Sequence, residues 1–237
     1  MASHGSKRHQ KRLARPVVVP ISAKGSRYIM KGTPGAHAEI ASASVLVLLR
    51  DLLKVARSSR EARKLMRAGE VLVDGKPVSD LGFGAGLMDV VAVPKAGVLV
   101  RIVNNHGKLS LAKISEADAK VKLCRIANKK IVAGGKVQLN LHDGRNVLIE
   151  KEEDRFKTGD TVKLSIPAQK LSGFLKFEKG AECYVFRGKH AGGIATLDEL
   201  KEREGSRPTE AVLSGKDGKF ITLKDYLFVV DKGFKLD

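Results

Sequence analysis

The sequence predicts an α+β protein of several small domains: an extended basic N-terminal arm, a module of two short helices and a β-hairpin, a β-rich central domain and a small C-terminal β-barrel. Three observations favour this fold class. A helical pattern of apolar and basic residues covers residues 45–67 and gives way to strand-like runs up to residue 93. From residue 98 onward, short apolar runs alternate with glycine-containing turns, which is typical of small antiparallel barrels or sandwiches. Before residue 39 the chain contains basic residues but no acidic one.

The N-terminal segment, residues 1–41, is interrupted by proline and glycine and is strongly basic. Such a segment buries too little apolar surface to fold by itself, so we expect it to become ordered on an anionic partner. A plain disordered tail is the alternative. The candidate partner-binding side chains in the arm are Lys7, Arg8, Lys11, Arg12 and Arg15.

An apolar run at residues 45–53 predicts the first helix of the module. Arg50, Lys54 and Arg57 are spaced so that a continuous helix would place all three on one face.

A second helix is predicted to begin after Ser58, because Glu61 follows three residues later and completes a capping-box pattern. Gly69 ends it. The apolar stripe of this helix consists of Ala62, Leu65 and Met66, and the basic stripe consists of Arg60, Arg63, Lys64 and Arg67.

Residues 71–73 and 89–93 read as strands, with Asp74 and Gly75 forming a tight turn before Lys76. The run from residue 59 to 76 resembles the alpha-L module, an RNA-binding domain first known from ribosomal protein S4. The module pairs a basic second helix with the pattern G-x-V-x-V-(D/N)-G, which is matched here in order. The candidate RNA-binding side chains of the module are Arg50, Lys54, Arg57, Arg60, Arg63, Lys64, Arg67 and Lys76. A surface helix with solvated charges is the alternative. That alternative is disfavoured because Glu61 is the one acid between Lys54 and Gly69, whereas solvated faces usually mix signs.

The central part, residues 105–170, is predicted to be β-rich. Residues 98–103 and 109–114 should pair as a hairpin, and Ser115 should cap a short helix that runs to about Ile126. Further strands are expected at residues 130–132, 137–141, 146–150 and 161–166.

The last part, residues 171–237, contains a strand, a basic glycine-bearing loop and a second strand. This arrangement resembles the KOW motif of ribosomal proteins and NusG-type transcription factors, which implies a small SH3-like barrel. Its glycines permit positive φ angles and a close approach of the backbone to a partner. The candidate RNA-binding side chains of the loop are Arg187, Lys189 and His190.

A basic arm, an alpha-L module at residues 42–104, a β-rich middle and a KOW barrel occur in this order in the archaeal and eukaryotic small-subunit ribosomal protein family S4e. The chain resembles that family over essentially its whole length, including residues 9–12, 86–90, 119–124 and 142–145. The resemblance implies a structural constituent of the small ribosomal subunit in the cytoplasm. Its partners would be small-subunit ribosomal RNA and neighbouring ribosomal proteins. It also implies no enzymatic role, no cofactor, no metal and no small-molecule substrate.

Composition agrees with a polyanionic partner. The chain has 44 Lys and Arg against 26 Asp and Glu, a net charge of +18. A membrane surface is the other possible partner, but no run of about 18 apolar residues exists to span one, and no signal peptide is evident. Cys124 and Cys183 are far apart, which suggests neither a disulfide framework nor a zinc ribbon and fits a reducing cytoplasm. Aromatic residues make up 5% of the chain, so we expect recognition of RNA shape and backbone more than base stacking.

Enzyme motifs are weak or absent. The glycines of residues 82–86 lack dinucleotide-binding spacing, and no Gly-Lys pair is followed by Ser or Thr, as a phosphate-binding loop requires. His142 and Asp143 precede Gly144 and therefore read as a turn. Alpha-L modules also occur in pseudouridine synthases, but the Arg-Leu-Asp catalytic segment of those enzymes is missing. A free transcription or translation factor of the KOW type is a third possibility.

Overall fold

The structure is a computed structural model that describes residues 9–132, 134–201, 208–215, 218–234 and 236. Lys7 and Arg8, two of the proposed binding residues, lie outside these residues. The chain forms two compact units: one runs to Val103 and includes Lys108–Ala119, and the other combines Asn104–Gly107 with the chain from Lys120 onward.

The first unit contains short helices and strands in small sheets. Its helices are α1 (Val45–Val47), which continues as a π-helical turn (Leu48–Leu52), α2 (Ser59–Arg67) and α3 (Glu116–Ala119). Its strands are β1 (His9–Lys11), β2 (Tyr28–Met30), β3 (Ser42–Ser44), β4 (Leu72–Val73), β5 (Lys76–Pro77), β6 (Gly84–Gly86), β7 (Val90–Val93), β8 (Val98–Asn105) and β9 (Lys108–Lys113). They form the pairs β1-β2 and β3-β6 and a sheet of order β5-β4-β7-β8-β9. Thus β9 belongs to the sheet of the helical module, although the sequence suggested that it lies with the following domain.

The second helix, α2, has the predicted start and the predicted faces. The Ser58 side chain accepts from the Glu61 N–H at 3.3 Å, and Glu61 reaches back to accept from the Arg57 N–H at 2.8 Å. These bonds satisfy two backbone donors at the helix start. Ala62 and Met66 are 0% and 2% exposed and belong to the unit's main apolar cluster.

The first helix is shorter than predicted. After the π-helical turn, Lys54 adopts a left-handed conformation with φ of 56°. The chain leaves the helix there, and the Val55 and Ala56 N–H groups both donate to the Leu49 carbonyl. The prediction that Arg50, Lys54 and Arg57 share one helical face is therefore wrong.

Residues 9–41 differ from the extended arm that we expected. Val19, Ile21 and Ile29 are at most 6% exposed and join the apolar cluster of the module. The Leu109 N–H donates to the Val18 carbonyl at 2.7 Å, which ties the segment to β9. The charge pattern did not predict that this segment would fold. A few apolar side chains are enough to order it, because the neighbouring module supplies the rest of the core.

Arg12 holds the N-terminal segment in place. The side chain is 9% exposed, and its Nε and Nη1 donate to the Ser22 carbonyl at 2.7 Å and to Ser26 Oγ at 3.0 Å. Its Nη2 also lies 3.9 Å from Asp51 Oδ1.

We expect Arg12→Ala to loosen residues 9–31, because the buried guanidinium joins Ser22 and Ser26 of this segment to Asp51 of the module. Limited trypsin digestion should then cleave this segment faster than in the unaltered protein, while the melting of the rest changes less. The control is Lys24→Ala, an exposed basic residue of the same segment. If trypsin cleaved Arg12→Ala no faster than the unaltered protein, the apolar contacts alone would be sufficient to hold this segment on the module.

Two local geometries explain glycines in the module. Asp74 and Gly75 have φ angles of 49° and 72°, as a two-residue hairpin turn requires, and the buried Asp74 carboxylate accepts from the Val90 N–H at 3.0 Å. At Gly86, a Cβ would lie 2.5 Å from the His37 ring, whose Nε2 is 3.0 Å from the buried Asp89 carboxylate.

The second unit contains two five-stranded antiparallel sheets. The first has the order β12-β11-β10-β13-β14, and its strands are β10 (Val121–Ile131), β11 (Val137–Leu141), β12 (Asn146–Ile149), β13 (Thr161–Ser165) and β14 (Lys170–Leu175). The second has the order β18-β17-β16-β15-β19, and its strands are β15 (Glu182–Val185), β16 (Ile194–Lys201), β17 (Glu210–Gly215), β18 (Gly218–Leu223) and β19 (Leu227–Val229). Each sheet has its own apolar cluster.

The predicted helix from Ser115 to about Ile126 is wrong beyond its first turn. α3 ends at Ala119, and residues 121–125 pair with β13, Val121 with Ser165 and Arg125 with Thr161. Side chains at 122, 124 and 126 share one face of this strand and are buried, and Leu123 on the other face is buried as well.

Short 3-10 turns complete the fold at Arg12–Ala14, Glu39–Ala41, Pro94–Ala96, Lys151–Glu153 and Lys224–Tyr226. Among the residues that the structure describes, none of the helices has both the length and the apolar composition of a membrane span.

Candidate nucleic-acid interface

The outer face of α2 presents a cluster of positive charge. Successive residues of an α-helix are separated by about 100°, so the basic side chains of α2 fall within roughly one third of its circumference, opposite Ala62 and Met66. All are exposed, and none forms an ion pair with a described residue. The acid of this helix, Glu61, is used in the cap. This cationic face consists of Arg60, Arg63, Lys64 and Arg67.

Three further candidate side chains of the module are exposed. Lys54 ends the first helix, Arg57 precedes the cap of α2, and Lys76 follows the hairpin turn. All three are exposed, as is Lys11 in the N-terminal segment.

Other candidate side chains form contacts within the protein. Arg50 forms a two-point ion pair with Asp51, with Nη2 to Oδ2 at 2.8 Å, and also donates to Ser59 at 3.4 Å. Arg12 reaches the same Asp51, as described above. Arg15 is half-buried and donates to the Val19 carbonyl at 3.4 Å. Asp51 therefore neutralises charge that the sequence pattern assigned to a partner.

The loop between β15 and β16 is held by its backbone. The Gly192 N–H donates to the Val185 carbonyl at 2.8 Å, and the Ala191 carbonyl accepts from the His106 N–H at 3.1 Å. Ala191 is 1% exposed. A Cβ at Gly192 would lie 2.3 Å from the Asn105 Oδ1, so this position is limited to glycine.

The side chains of the same loop point outward. Arg187, Lys189 and His190 are exposed. The Arg187 guanidinium lies 5.7 Å from the centre of the Tyr226 ring, and the His190 ring stacks on Phe220. The backbone is thus fixed without using the basic side chains that we proposed for binding.

A buried ionic cluster lies beneath the turn after β11. Lys122 and Asp143 are each 1% exposed, and Lys122 Nζ is 2.9 Å from Asp143 Oδ2. Arg145 Nε lies 3.1 Å from the same oxygen, and Cys124 Sγ lies 3.7 Å from it. Desolvation raises the pKa of Asp143, but the charge and hydrogen bond of Lys122 and the charge of Arg145 outweigh it, so the pKa lies below its usual value.

Cys124, His142 and Asp143 place three potential metal-ligand atoms within 4.8 Å of one another. The chemistry of the cluster does not favour a metal ion. The Asp143 carboxylate already faces an ammonium and a guanidinium, which would repel a divalent cation. The His142 Nδ1 accepts from the Arg125 N–H at 3.2 Å, so that nitrogen is not available to a metal. The sequence predicted the turn but not the burial of Lys122. The signal for this burial is the position of Lys122 in the alternating pattern of β10.

Comparison with known proteins adds independent evidence. The family described as Ribosomal family S4e matches residues 100–171, and the S4 domain matches residues 47–91, which contain α2 and its cationic face. Small ribosomal subunit protein eS4 of Methanothermobacter thermautotrophicus is 44% identical, over 98% of this chain and 96% of that protein. The protein of the same name from Methanocaldococcus jannaschii is 43% identical, over 97% and 96%.

A solved structure is also similar. The crystal structure of the 30S ribosomal protein S4e from Thermoplasma acidophilum has a TM-score of 0.69 and 32% identity, and the match covers 81% of this chain and 96% of that one. Because archaeal relatives are this similar over nearly their full length, the chain belongs to the small ribosomal subunit protein eS4 family and carries an S4 RNA-binding domain.

Proposed function

We propose that this chain is a structural constituent of the small ribosomal subunit, where it binds ribosomal RNA, contacts neighbouring ribosomal proteins and supports subunit assembly in the cytoplasm. The observation that carries the proposal is the cationic face of α2, which is exposed and has no acidic partner among the described residues. Lys and Arg neutralise phosphates and release counterions, which drives binding to nucleic acids. The planar guanidinium of arginine adds two-point contacts to phosphate oxygens.

The secondary contact is the loop that carries Arg187, Lys189 and His190. We infer that β15 to β19 form the small KOW barrel that presents it, since a rigid basic loop between β15 and β16 fits that motif. The division into an N-terminal segment, an S4-like module, a central domain and a C-terminal barrel, at 1–41, 42–104, 105–170 and 171–237, is part of the same proposal, except that β9 joins the sheet of the S4-like module.

A binding role without catalysis is favoured by the state of the reactive groups. Burial raises the pKa of the Cys183 thiol to about 12, so a thiolate nucleophile is not available there. The Asp143 carboxylate is enclosed by cations, as described above. No substrate or cofactor is needed for the proposed role.

Salt dependence tests the proposal. If the α2 face neutralises several phosphates, the logarithm of the association constant should fall with the logarithm of salt concentration, by about 0.9 for each phosphate, hence with a slope of roughly −3 to −4. The measurement is titration of the full-length protein with transcribed archaeal small-subunit ribosomal RNA at increasing KCl. A slope near zero would mean that apolar contacts or protein partners dominate, and would refute the electrostatic account.

A further inference from the structure

Two aromatic side chains of the C-terminal part, Phe220 and Tyr226, contact the basic loop. The His190 and Phe220 rings have centroids 4.4 Å apart and an angle of 26° between their planes, which is a stacked arrangement. Phe220 is half-buried and His190 is exposed. Phe220 therefore covers one face of the imidazole, and the opposite face is open to solvent.

The stack is fixed from below. Phe220 lies on β18, opposite Leu213 of β17, and a Cβ at Gly215 would lie 3.0 Å from its ring. The phenyl ring therefore lies against the backbone of Gly215, and His190 lies on the phenyl ring. Because the loop backbone is also held by hydrogen bonds, the open imidazole face is in place before any partner arrives, which lowers the entropic cost of binding.

Positive charge flanks this open face. Lys189 precedes His190, and Arg187 of the same loop lies against the Tyr226 ring. A Cβ at Gly188 would lie 3.2 Å from the Tyr226 ring, so the glycine lets the loop pass close to that ring. Neither basic side chain forms an ion pair with a described residue.

Resting on the proposed function, we propose that His190, backed by Phe220, stacks on an unpaired RNA base while Lys189 and Arg187 contact the adjoining phosphates. Bases inside an RNA duplex are covered on both faces by their neighbours, so a protein ring stacks only on a base in a loop, bulge or end. An aromatic surface bordered by cations is the usual composition of sites for single-stranded nucleic acid. The loop would thus recognise an unstacked nucleotide, whereas the α2 face contacts backbone.

The experiment uses the full-length protein and two RNA probes. One is a short single-stranded oligoadenylate with a central 2-aminopurine, whose fluorescence reports stacking, and the other is an RNA duplex of equal length. The variants are His190→Ala, His190→Tyr, which keeps a ring, and Lys170→Ala as an exposed control outside the loop. Circular dichroism melting checks that each variant is folded.

We expect His190→Ala to weaken single-strand binding by about 5- to 150-fold, the range for loss of one base–aromatic stack, and to change duplex binding less than about two-fold. His190→Tyr should retain affinity and the fluorescence change. Equal weakening for both probes would show a phosphate contact and overturn the inference, as would unchanged single-strand binding. If His190→Ala impaired subunit assembly but changed binding to neither RNA probe, the loop would contact a protein partner, and this outcome would also overturn the inference.

The combined variant Arg63→Glu, Lys64→Glu separates this inference from the proposed function. If it loses RNA binding while His190→Ala has no effect, the ribosomal RNA-binding function stands and the stacking inference falls. If the unaltered protein binds neither probe nor ribosomal RNA, the proposed function itself fails.

Discussion

Changing both Arg63 and Lys64 to Glu should lower the affinity for ribosomal RNA by about 100-fold or more, since each charge-assisted contact contributes about 1.5–3 kcal/mol. Both side chains are exposed on α2 and lack an ion-pair partner among the described residues, so their interactions are available to phosphate. The weakening should be similar across RNA sequences, because phosphate contacts position a protein without reading bases. The salt slope should flatten by about 0.9 for each lost contact.

The stability of the fold should change little in this variant, because exposed substitutions usually alter the free energy of unfolding by less than about 0.5 kcal/mol. The matched control is Met66→Ala on the opposite face of α2. Met66 is 2% exposed, so this change should cost about 2–5 kcal/mol and affect RNA binding only through unfolding. Melting and RNA titration on both variants separate the two faces. If the double variant binds RNA like the unaltered protein, the α2 face is not the main contact.

The sequence was sufficient to predict α2, and the reason is local. Its cap, its apolar stripe and its basic stripe all lie within residues 58–67 and agree with one another. One detail differs: Leu65, predicted as core, is only half-buried, whereas Ala62 and Met66 are buried. A helical period locates a face to within one residue, and tertiary packing decides which member is deepest.

The fate of Arg12 and Arg50 could not be predicted from the sequence. Both were proposed to bind RNA because they lie in basic stretches. In the structure both reach Asp51, one of them from a segment nearly 40 residues away in sequence. Charge patterns report net charge along the chain, whereas pairing between distant residues depends on the tertiary fold.

The same limit applies to the turn at His142 and Asp143. Its glycine gives the predicted turn, with Gly144 at a φ of 76°. The sequence pattern did not reveal Lys122 as the ion-pair partner of Asp143, because Lys122 lies on β10, which was predicted to be partly helical. Once β10 is a strand, residue 122 points into the core and needs a counter-charge there.

Asp143→Asn should therefore destabilise the second unit by about 3–5 kcal/mol, the usual cost of removing one partner of a buried ion pair. Asparagine has nearly the same shape and keeps an oxygen to accept from the Arg145 N–H, which Asp143 does at 3.3 Å. The change thus isolates the charge that faces Lys122. The measurement is urea unfolding at neutral pH.

The effect should depend on pH in a defined direction. The pKa of Asp143 is lowered in the folded protein from its usual value of 3.8, so its contribution to stability is fully present above that value. The contribution is lost as pH falls through the lower folded pKa, where the carboxylate takes up a proton. The difference in unfolding free energy between the unaltered protein and Asp143→Asn should therefore be constant near neutrality and shrink in acid. A difference independent of pH would assign the effect to packing.

A second change completes the cycle. Lys122→Met removes the buried ammonium and fills a similar volume, so in an Asp143→Asn background it should recover much of the lost stability, because replacing both members of a buried pair is often neutral. Lys122→Met in the unaltered background should be destabilising, although Arg145 remains beside Asp143 to offset part of the loss. If the two single changes were additive, the 2.9 Å contact would contribute nothing as a pair. Strong recovery in the double variant would identify this pair as the interaction that fixes the turn after β11 to β10.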